Sequence, residues 1–274
     1  MLLVGKEVVM DNSSKDEYER IAEVYDLFKR DDDYKAFYEL IKTTFLNSCE
    51  FLRPARTIEI GCGTGTFTSL FHTDGFNIIG TDISPNMLAI ARKKYPSIPF
   101  EEMDIRTQQE TGESFDLCFA LDDVLNCMDN FGVVKDSLIN IARLLSEDGY
   151  LLFDLVTLNA FHNYMGQIDF RRYEDVCILS YPLFSLDNDG SHPFVMGGSV
   201  LTLDFPSSTW NRFDFSATEH FYSEQQVESA LSEAGLSIVA KRGLVRGKLV
   251  APDSLDADCI QKQLYLCKRG EDAK

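Results

Sequence analysis

Three closely spaced glycines follow a short apolar segment in Thr-Ile-Glu-Ile-Gly-Cys-Gly-Thr-Gly, residues 57–65. The isoleucines suit a buried strand, and Gly61, Gly63 and Gly65 allow a turn whose backbone approaches a ligand closely because no Cβ intervenes. In an α/β sheet, such a turn at the start of a helix forms the usual crevice for an adenosine-containing molecule. The G-x-G-x-G spacing lacks the G-x-G-x-x-G fingerprint of dinucleotide sites.

An acidic residue ends the next apolar segment. Asp82 lies 21 residues after Gly61 and directly follows residues 77–81. Its carboxylate can accept two hydrogen bonds from the hydroxyl groups of a ribose, as an adenosine ligand requires. The alternative roles are a helix N-cap and a solvated loop acid.

Strands and helices alternate around these residues. Ser84 followed by Pro85 predicts a helix start, and Gly149 ends a helix with an apolar face from Val134 to Leu145. This alternation predicts a parallel, doubly wound sheet. The predicted strands of this part are 56–60, 77–81, a strand ending near Asp104, 115–121 and 150–155.

The pattern changes between residues 156 and 221, where no strong helical periodicity occurs. The β-rich runs 176–184, 195–205 and 211–221, with a turn signal at residues 187–190, predict an antiparallel insertion. A capping box at Ser223 then starts another helix, and 236–240 and 260–267 supply two final strands. We expect the insertion, residues 156–221, to form a substrate lid or a dimer contact.

Glu59 before the glycines, with Asp82 and Asp104 after them, gives the chain a pattern that resembles class I S-adenosylmethionine (SAM)-dependent methyltransferases. The resemblance covers about residues 15–154 and 222–268. It implies an α/β fold, a doubly wound, mostly parallel seven-stranded Rossmann-like sheet with an antiparallel β insertion after strand five. The corresponding domains are an N-terminal helical lid at 1–50 and a SAM-binding core at 51–155 and 222–274.

The resemblance also implies roles for individual residues toward SAM, whose product is S-adenosylhomocysteine. The matching acid, Glu59, organises the glycine turn, whose backbone at Gly61 and Gly63 holds the methionine portion, and Asp104 accepts from the adenine amine. Ordinary core packing is the alternative for the apolar members. The full cofactor-binding prediction comprises Tyr18, Tyr25, Glu59, Gly61, Cys62, Gly63, Gly65, Asp82, Ile83, Met87, Asp104, Ile105, Leu121 and Asp122.

The segment Ala-Leu-Asp-Asp-Val-Leu-Asn at 120–126 resembles the D-x-L-N segment of small bacterial class I methyltransferases. It implies that Leu121 and Asp122 line the methionine end, although either aspartate could instead cap the next helix. Tyr18, Tyr25-Asp26 and Tyr34 resemble an N-terminal lid in which an aromatic ring closes over SAM. Surface packing is the alternative for these tyrosines.

A phenol or alcohol acceptor usually needs a general base, and the candidates by location are Asp123, His220 and His162. An amine needs only to lose its proton before attack. The acidic composition and the aromatic insertion resemble small-molecule N-methyltransferases, which favours a small-molecule amine as acceptor. The alternatives are an RNA or protein methyltransferase and a SAM-binding sensor or scaffold subunit without transferase activity.

Charge and cysteine usage restrict the partners. The chain has 26 Lys and Arg against 44 Asp and Glu, and its net charge of −18 argues against binding of nucleic acid or anionic membranes. The seven cysteines and four histidines are dispersed, so no metal site is predicted. No signal peptide or membrane-spanning run is apparent, and we expect a reduced cytoplasmic protein that could dimerise through the insertion.

Overall fold

The computed structural model describes residues 21–49, 55–107, 112, 114–163, 167–184, 190–251 and 259–270. These residues form two sheets and several helices. The strands are β1 Arg56–Ile60, β2 Asn77–Asp82, β3 Phe100–Glu102, β4 Phe115–Ala120, β5 Leu145–Val156, β6 Asp169–Arg172, β7 Val176–Phe184, β8 Phe194–Asp204, β9 Thr209–Glu219, β10 Leu236–Val245, β11 Lys248–Val250 and β12 Lys262–Arg269. The α-helices are α1 Tyr25–Phe28, α2 Tyr34–Thr44, α3 Thr66–Thr73, α4 Pro85–Lys94, α5 Phe131–Leu144, α6 Leu158–Asn163 and α7 Glu224–Glu233.

The larger sheet has the strand order β11-β10-β12-β5-β4-β1-β2-β3. Strands β1 to β5 pair in parallel, and β12 is antiparallel to both β5 and β10. The direction of strand-to-strand progression reverses between β1 and β4, and ligands bind outside the carboxyl ends of strands at such a point. The predicted doubly wound α/β sheet is therefore confirmed, and the glycine turn after β1 lies at its crevice.

The predicted count of seven strands in this sheet was wrong, because the described residues contain eight. The additional strand, β11, folds back on the end of β10 through Arg246 and Gly247, which both have positive φ (47° and 74°). Two successive residues in the left-handed region make a tight hairpin that matches the twist of the strands. The strand predicted at 236–240 consequently continues to Val245.

The β insertion contains a separate antiparallel sheet with the order β6-β7-β8-β9. The three predicted β-rich runs correspond to β7, β8 and β9, whereas residues 187–189 of the predicted turn lie outside the described residues. The expectation that this region lacks a helix was wrong. The short helix α6 follows β5 directly, with Ala160 and Phe161 buried.

Tertiary packing joins the N-terminal residues to both sheets. Ile21, Ala22 and Val24 form one buried cluster with Met87 of α4 and with Val176, Ile178, Val200 and Phe215 of the insertion. The predicted helix starts are present, with the Ser84 hydroxyl accepting from Met87 N and a complete capping box at Ser223. No helix among the described residues is long and apolar enough to span a membrane.

Candidate functional site

The glycine turn is shaped by backbone conformations that side chains would resist. Gly61, Gly63 and Gly65 have φ values of 72°, 52° and 83°. A Cβ on Gly61 would lie 2.6 Å from Val124 Cγ2, and one on Gly65 would lie 2.8 Å from Phe100 Cζ. At Gly63 the nearest atom would be Tyr25 Cε1, 3.8 Å away. Two glycines thus permit tight packing of the turn, while a Cβ on the third would make only an ordinary van der Waals contact with Tyr25.

Asp82 binds the same turn from the end of β2. Its Oδ2 accepts a hydrogen bond of 2.8 Å from Gly63 N, and its Oδ1 accepts one of 2.9 Å from Ser84 N. The N-cap of α4 is Ser84, so the alternative role of Asp82 as that cap does not apply. The Asp82 carboxylate thus lies between the glycine turn and the start of α4, and its ribose contact stays a prediction.

A cleft opens beside the turn, and most of the residues predicted to bind the cofactor line it. Apolar side chains alternate with Asp82 and Asp104 along it. Sequence reasoning missed six of its lining residues, because no local motif marks them. The predicted lining residues are Tyr25, Gly61, Gly63, Asp82, Ile83, Met87, Asp104, Ile105 and Asp122; the missed ones are Ile60, Met103, Arg106, Val124, Cys127 and Met128.

Asp104 holds an arginine at the far end of this cleft. Arg106 Nε donates to Asp104 Oδ1 at 2.8 Å and Arg106 Nη2 donates to Oδ2 at 2.9 Å, a bidentate pair that fixes the carboxylate plane. Arg106 N also donates to Asp104 Oδ1 at 3.0 Å. The adenine contact of Asp104 stays a prediction.

The other end of the cleft lies between β1, β4 and the N-terminal residues. It is lined by Glu59, Cys62, Leu121 and Asp122 from the prediction, together with Tyr25 and Tyr34. Glu59 accepts a short hydrogen bond from the Thr68 hydroxyl, and burial raises its pKa to about 8. Burial thus favours the neutral form of the Glu59 carboxyl group.

Asp122 and Asp123 both adopt the left-handed conformation, with φ values of 68° and 72°. Residues other than glycine rarely do so, and two in succession store strain that the surroundings must offset. The offset comes from Asp154 at the end of β5, which is fully buried and accepts from Asp122 N (3.2 Å) and Asp123 N (3.0 Å). Neither aspartate caps α5, whose N-cap is Asn130.

Two lysines neutralise this turn. Lys262 Nζ lies 2.8 Å from Asp123 Oδ1, 3.1 Å from Asp122 Oδ1 and 3.2 Å from Asp154 Oδ2, while Lys29 Nζ lies 2.8 Å from Asp122 Oδ2. Burial alone would raise the pKa of Asp122, but the two ammonium groups hold it below its ordinary value. Burial raises the pKa of Asp123 to about 6. Sequence reasoning missed both lysines because their partners are distant in the chain.

The lid segment, residues 21–34, covers the turn. Tyr25 lines both ends of the cleft, Asp26 accepts a hydrogen bond of 2.6 Å from Thr64, and Tyr34 donates to Asp122 Oδ2 at 3.0 Å. Tyr18, the other predicted lid tyrosine, lies outside the described residues. The structure thus places Tyr25 and Tyr34 beside the glycines. The alternative of surface packing therefore does not apply to these two tyrosines.

The three candidate bases occupy different environments. Asp123 is in the lysine-bound turn, whereas His162 is exposed on α6 and is absent from the cleft walls that the structure describes. His220 N donates to Asn126 O at 2.8 Å, and burial lowers the pKa of its ring. The neighbouring Glu219, which the sequence did not single out, is 9% exposed, and burial raises its pKa to about 8.

Comparison with known proteins agrees with this geometry. Residues 58–149 match the family described as "Methyltransferase domain". A Geobacillus sp. (strain WCH70) protein named as a putative methyltransferase is 29% identical over 232 residues, covering 81% of this chain and 90% of that protein. A SAM-dependent methyltransferase structure from Clostridium acetobutylicum ATCC 824 superposes with a TM-score of 0.73 at 24% identity, covering 92% and 99%. The sugar N-methyltransferase KedS8 from Streptoalloteichus sp ATCC 53650 gives 0.71 at 21%, covering 99% and 100%.

Replacing Asp154 tests the support of the strained turn. Asp154→Ala should lower the free energy of unfolding by about 3–5 kcal/mol, because a buried ion pair is broken and two amides lose their acceptor. Urea denaturation measures this change. Asp148→Ala is the matched control, since Asp148 is 83% exposed in its pair with Lys268 and such pairs contribute little. An equal effect of both variants would contradict the assigned role.

Glu59 makes a defined contribution to the pH dependence of stability. Its pKa is raised from 4.5 to about 8 on folding. The contribution of Glu59 to the free energy of unfolding is therefore complete below pH 4.5. It is lost progressively as the pH rises through the pKa of Glu59 in the folded protein. Relative to Glu59→Gln, the wild type should lose stability between pH 5 and pH 8.5, measured as the difference in unfolding free energy. A difference that is constant with pH would disprove the protonated state.

Proposed function

Because the chain belongs to the class I SAM-dependent methyltransferases, we propose that it transfers the methyl group of SAM to the amine nitrogen of a small molecule. The observation that carries the proposal is the cleft at the carboxyl ends of β1, β2 and β4. There the glycine turn, Asp82 and Asp104 line one cavity. An adjoining cavity shares Gly61, Gly63 and Asp122 with it.

The residues present fit SAM by size and by charge. Asp82 would bind the ribose, Asp104 the adenine amine, and Ile83 and Ile105 the faces of the ring. The backbone at Gly63 would bind the methionine portion, since that residue faces space that a side chain would fill. The Asp122 carboxylate at the same end suits a ligand that carries positive charge.

When bound, SAM supplies a methyl group on a positively charged sulfur. The residues of this chain have to align the acceptor with that carbon and exclude water. Tyr25 and Tyr34 cover the turn and serve the second task. The lone pair of the amine forms the new N–C bond as the C–S bond breaks, and the sulfur keeps the electron pair.

An amine acceptor must lose its ammonium proton before the nitrogen attacks the methyl carbon. Asp123 is a suitable proton acceptor, because burial raises its pKa to about 6 and it therefore binds a proton more readily than an ordinary aspartate. The choice of nitrogen over oxygen is supported by the acidic turn and by the structural similarity to a sugar N-methyltransferase. An RNA acceptor is disfavoured by the net charge of −18.

The first experiment combines binding and transfer. Titration calorimetry should show that SAM and S-adenosylhomocysteine bind, and radiolabelled methyl groups should then pass to a pool of small amines. Binding without transfer to amines, phenols or RNA would instead indicate a SAM-binding sensor or scaffold subunit. Transfer to RNA or protein would indicate the other alternative, and absence of SAM binding would overturn the proposal.

Asp82 offers a specific test of the ribose contact. Asp82→Ala should weaken SAM binding by about 1–3 kcal/mol, because charge-assisted hydrogen bonds are lost. Calorimetry at constant pH gives the difference directly. Glu101→Ala, at an exposed position of β3, should leave the affinity unchanged. If Asp82→Ala also leaves it unchanged, the ribose assignment is wrong.

A further inference from the structure

A second cavity, the side cavity, lies on the opposite side of the Asp122–Asp123 turn from the adenosine end of the cleft. Its volume is about 460 Å³. Its walls come from the lid segment, α2, α6, the ends of β5 and β10, and the start of β12. The carboxyl ends of β4 and β5 border it, which is where ligands of open α/β sheets bind.

The side cavity adjoins the methionine end of the cleft. Tyr34, Phe67 and Asp122 line both spaces, so the two spaces share these side chains as walls. A molecule in the side cavity would therefore lie next to the part of the cleft that we assign to the methionine portion of SAM.

The charges of the side cavity exclude an anionic ligand. Five aspartates line it against two lysines, Lys29 and Lys262. Both lysines are already bound by carboxylates, Lys29 by Asp122 at 2.8 Å and Lys262 by Asp123 at 2.8 Å and Asp154 at 3.2 Å. Among the described lining residues no cation is left for a phosphate or a carboxylate. A ligand that carries its own positive charge is favoured instead.

The remaining wall is apolar. Val156 is buried at the end of β5 and Ala160 is buried on α6, and both line the side cavity. Phe37 and Leu40 of α2 and Leu244 of β10 continue this surface. An apolar wall opposite a few polar groups is the usual composition of a small-molecule site.

Resting on the proposed function, we propose that the side cavity binds the methyl acceptor, a free amine with an apolar body and without phosphate or carboxylate groups. The ammonium group faces Asp123, and the apolar body packs against Val156, Ala160 and Leu244. The N–H bond of the ammonium breaks, its proton passes to the Asp123 carboxylate, and the nitrogen keeps the electron pair that it then donates to the methyl carbon.

Ligand-observed NMR tests the site without requiring turnover. Cyclohexylamine and cyclohexanecarboxylate have the same ring and opposite charges, and each is added to the protein in the presence of S-adenosylhomocysteine. Saturation transfer should occur to the amine and be at least tenfold weaker to the carboxylate. A stronger signal from the carboxylate would overturn the proposal.

Filling the side cavity locates the amine. Ala160→Phe, and independently Leu244→Trp on a different element, should each reduce the amine signal at least tenfold and leave the affinity for S-adenosylhomocysteine unchanged. Ala217→Phe, on β9 and outside the side cavity, is the matched control and should retain the signal. An undiminished amine signal in a folded cavity-filling variant would overturn the proposal.

The two proposals fail in different ways. If the wild type does not bind SAM, the proposed function fails, while the amine signal and its loss on filling still report on the side cavity. If SAM binds and amines are methylated, but the cavity-filling variants keep the wild-type KM for the methylated amine, the side cavity is not the acceptor site.

Discussion

This site depends on one interaction, in which a buried carboxylate accepts hydrogen bonds from two consecutive backbone amides. Asp154 holds Asp122 and Asp123 in the left-handed conformation by accepting from their backbone N–H groups at 3.2 and 3.0 Å. Lys262 supplies the positive charge that offsets the burial of the Asp154 carboxylate. Without that support the strain of the two left-handed residues would not be offset. Because β5 and β12 are neighbours in the sheet, the pairing of two strands determines the shape of a loop on a third.

The same turn brings the separate parts of the molecule together. Lys29 and Tyr34 reach it from the N-terminal side, Lys262 reaches it from the last strand, and Asp123 borders the side cavity. Carboxylates exceed ammonium groups there, and burial accordingly raises the pKa of Asp123 to about 6 and that of Glu219 to about 8. A positively charged ligand reduces this imbalance, whereas a negatively charged one increases it.

The sequence predicted what local patterns can encode. The G-x-G-x-G turn, the acid at the end of β2 and the Ser84 cap follow from short-range rules, and the structure has each where it was predicted. The hairpin that adds β11 was missed because the positive φ of Arg246 is unusual for a residue with a side chain. Lys262 was missed for another reason, since its partner Asp122 is 140 positions away in the sequence.

The lid segment is attached at both of its faces. Tyr173 of the β insertion donates to Leu27 O at 2.8 Å and Arg171 donates to Phe28 O, while Asp26 and Lys29 bind the glycine turn and Asp122. Any displacement that uncovers the cleft must break bonds on one side or carry the insertion along. Departure of the spent cofactor is thereby mechanically linked to a sheet that lies outside the cleft. The turnover rate can in consequence be set by residues that never touch either reactant.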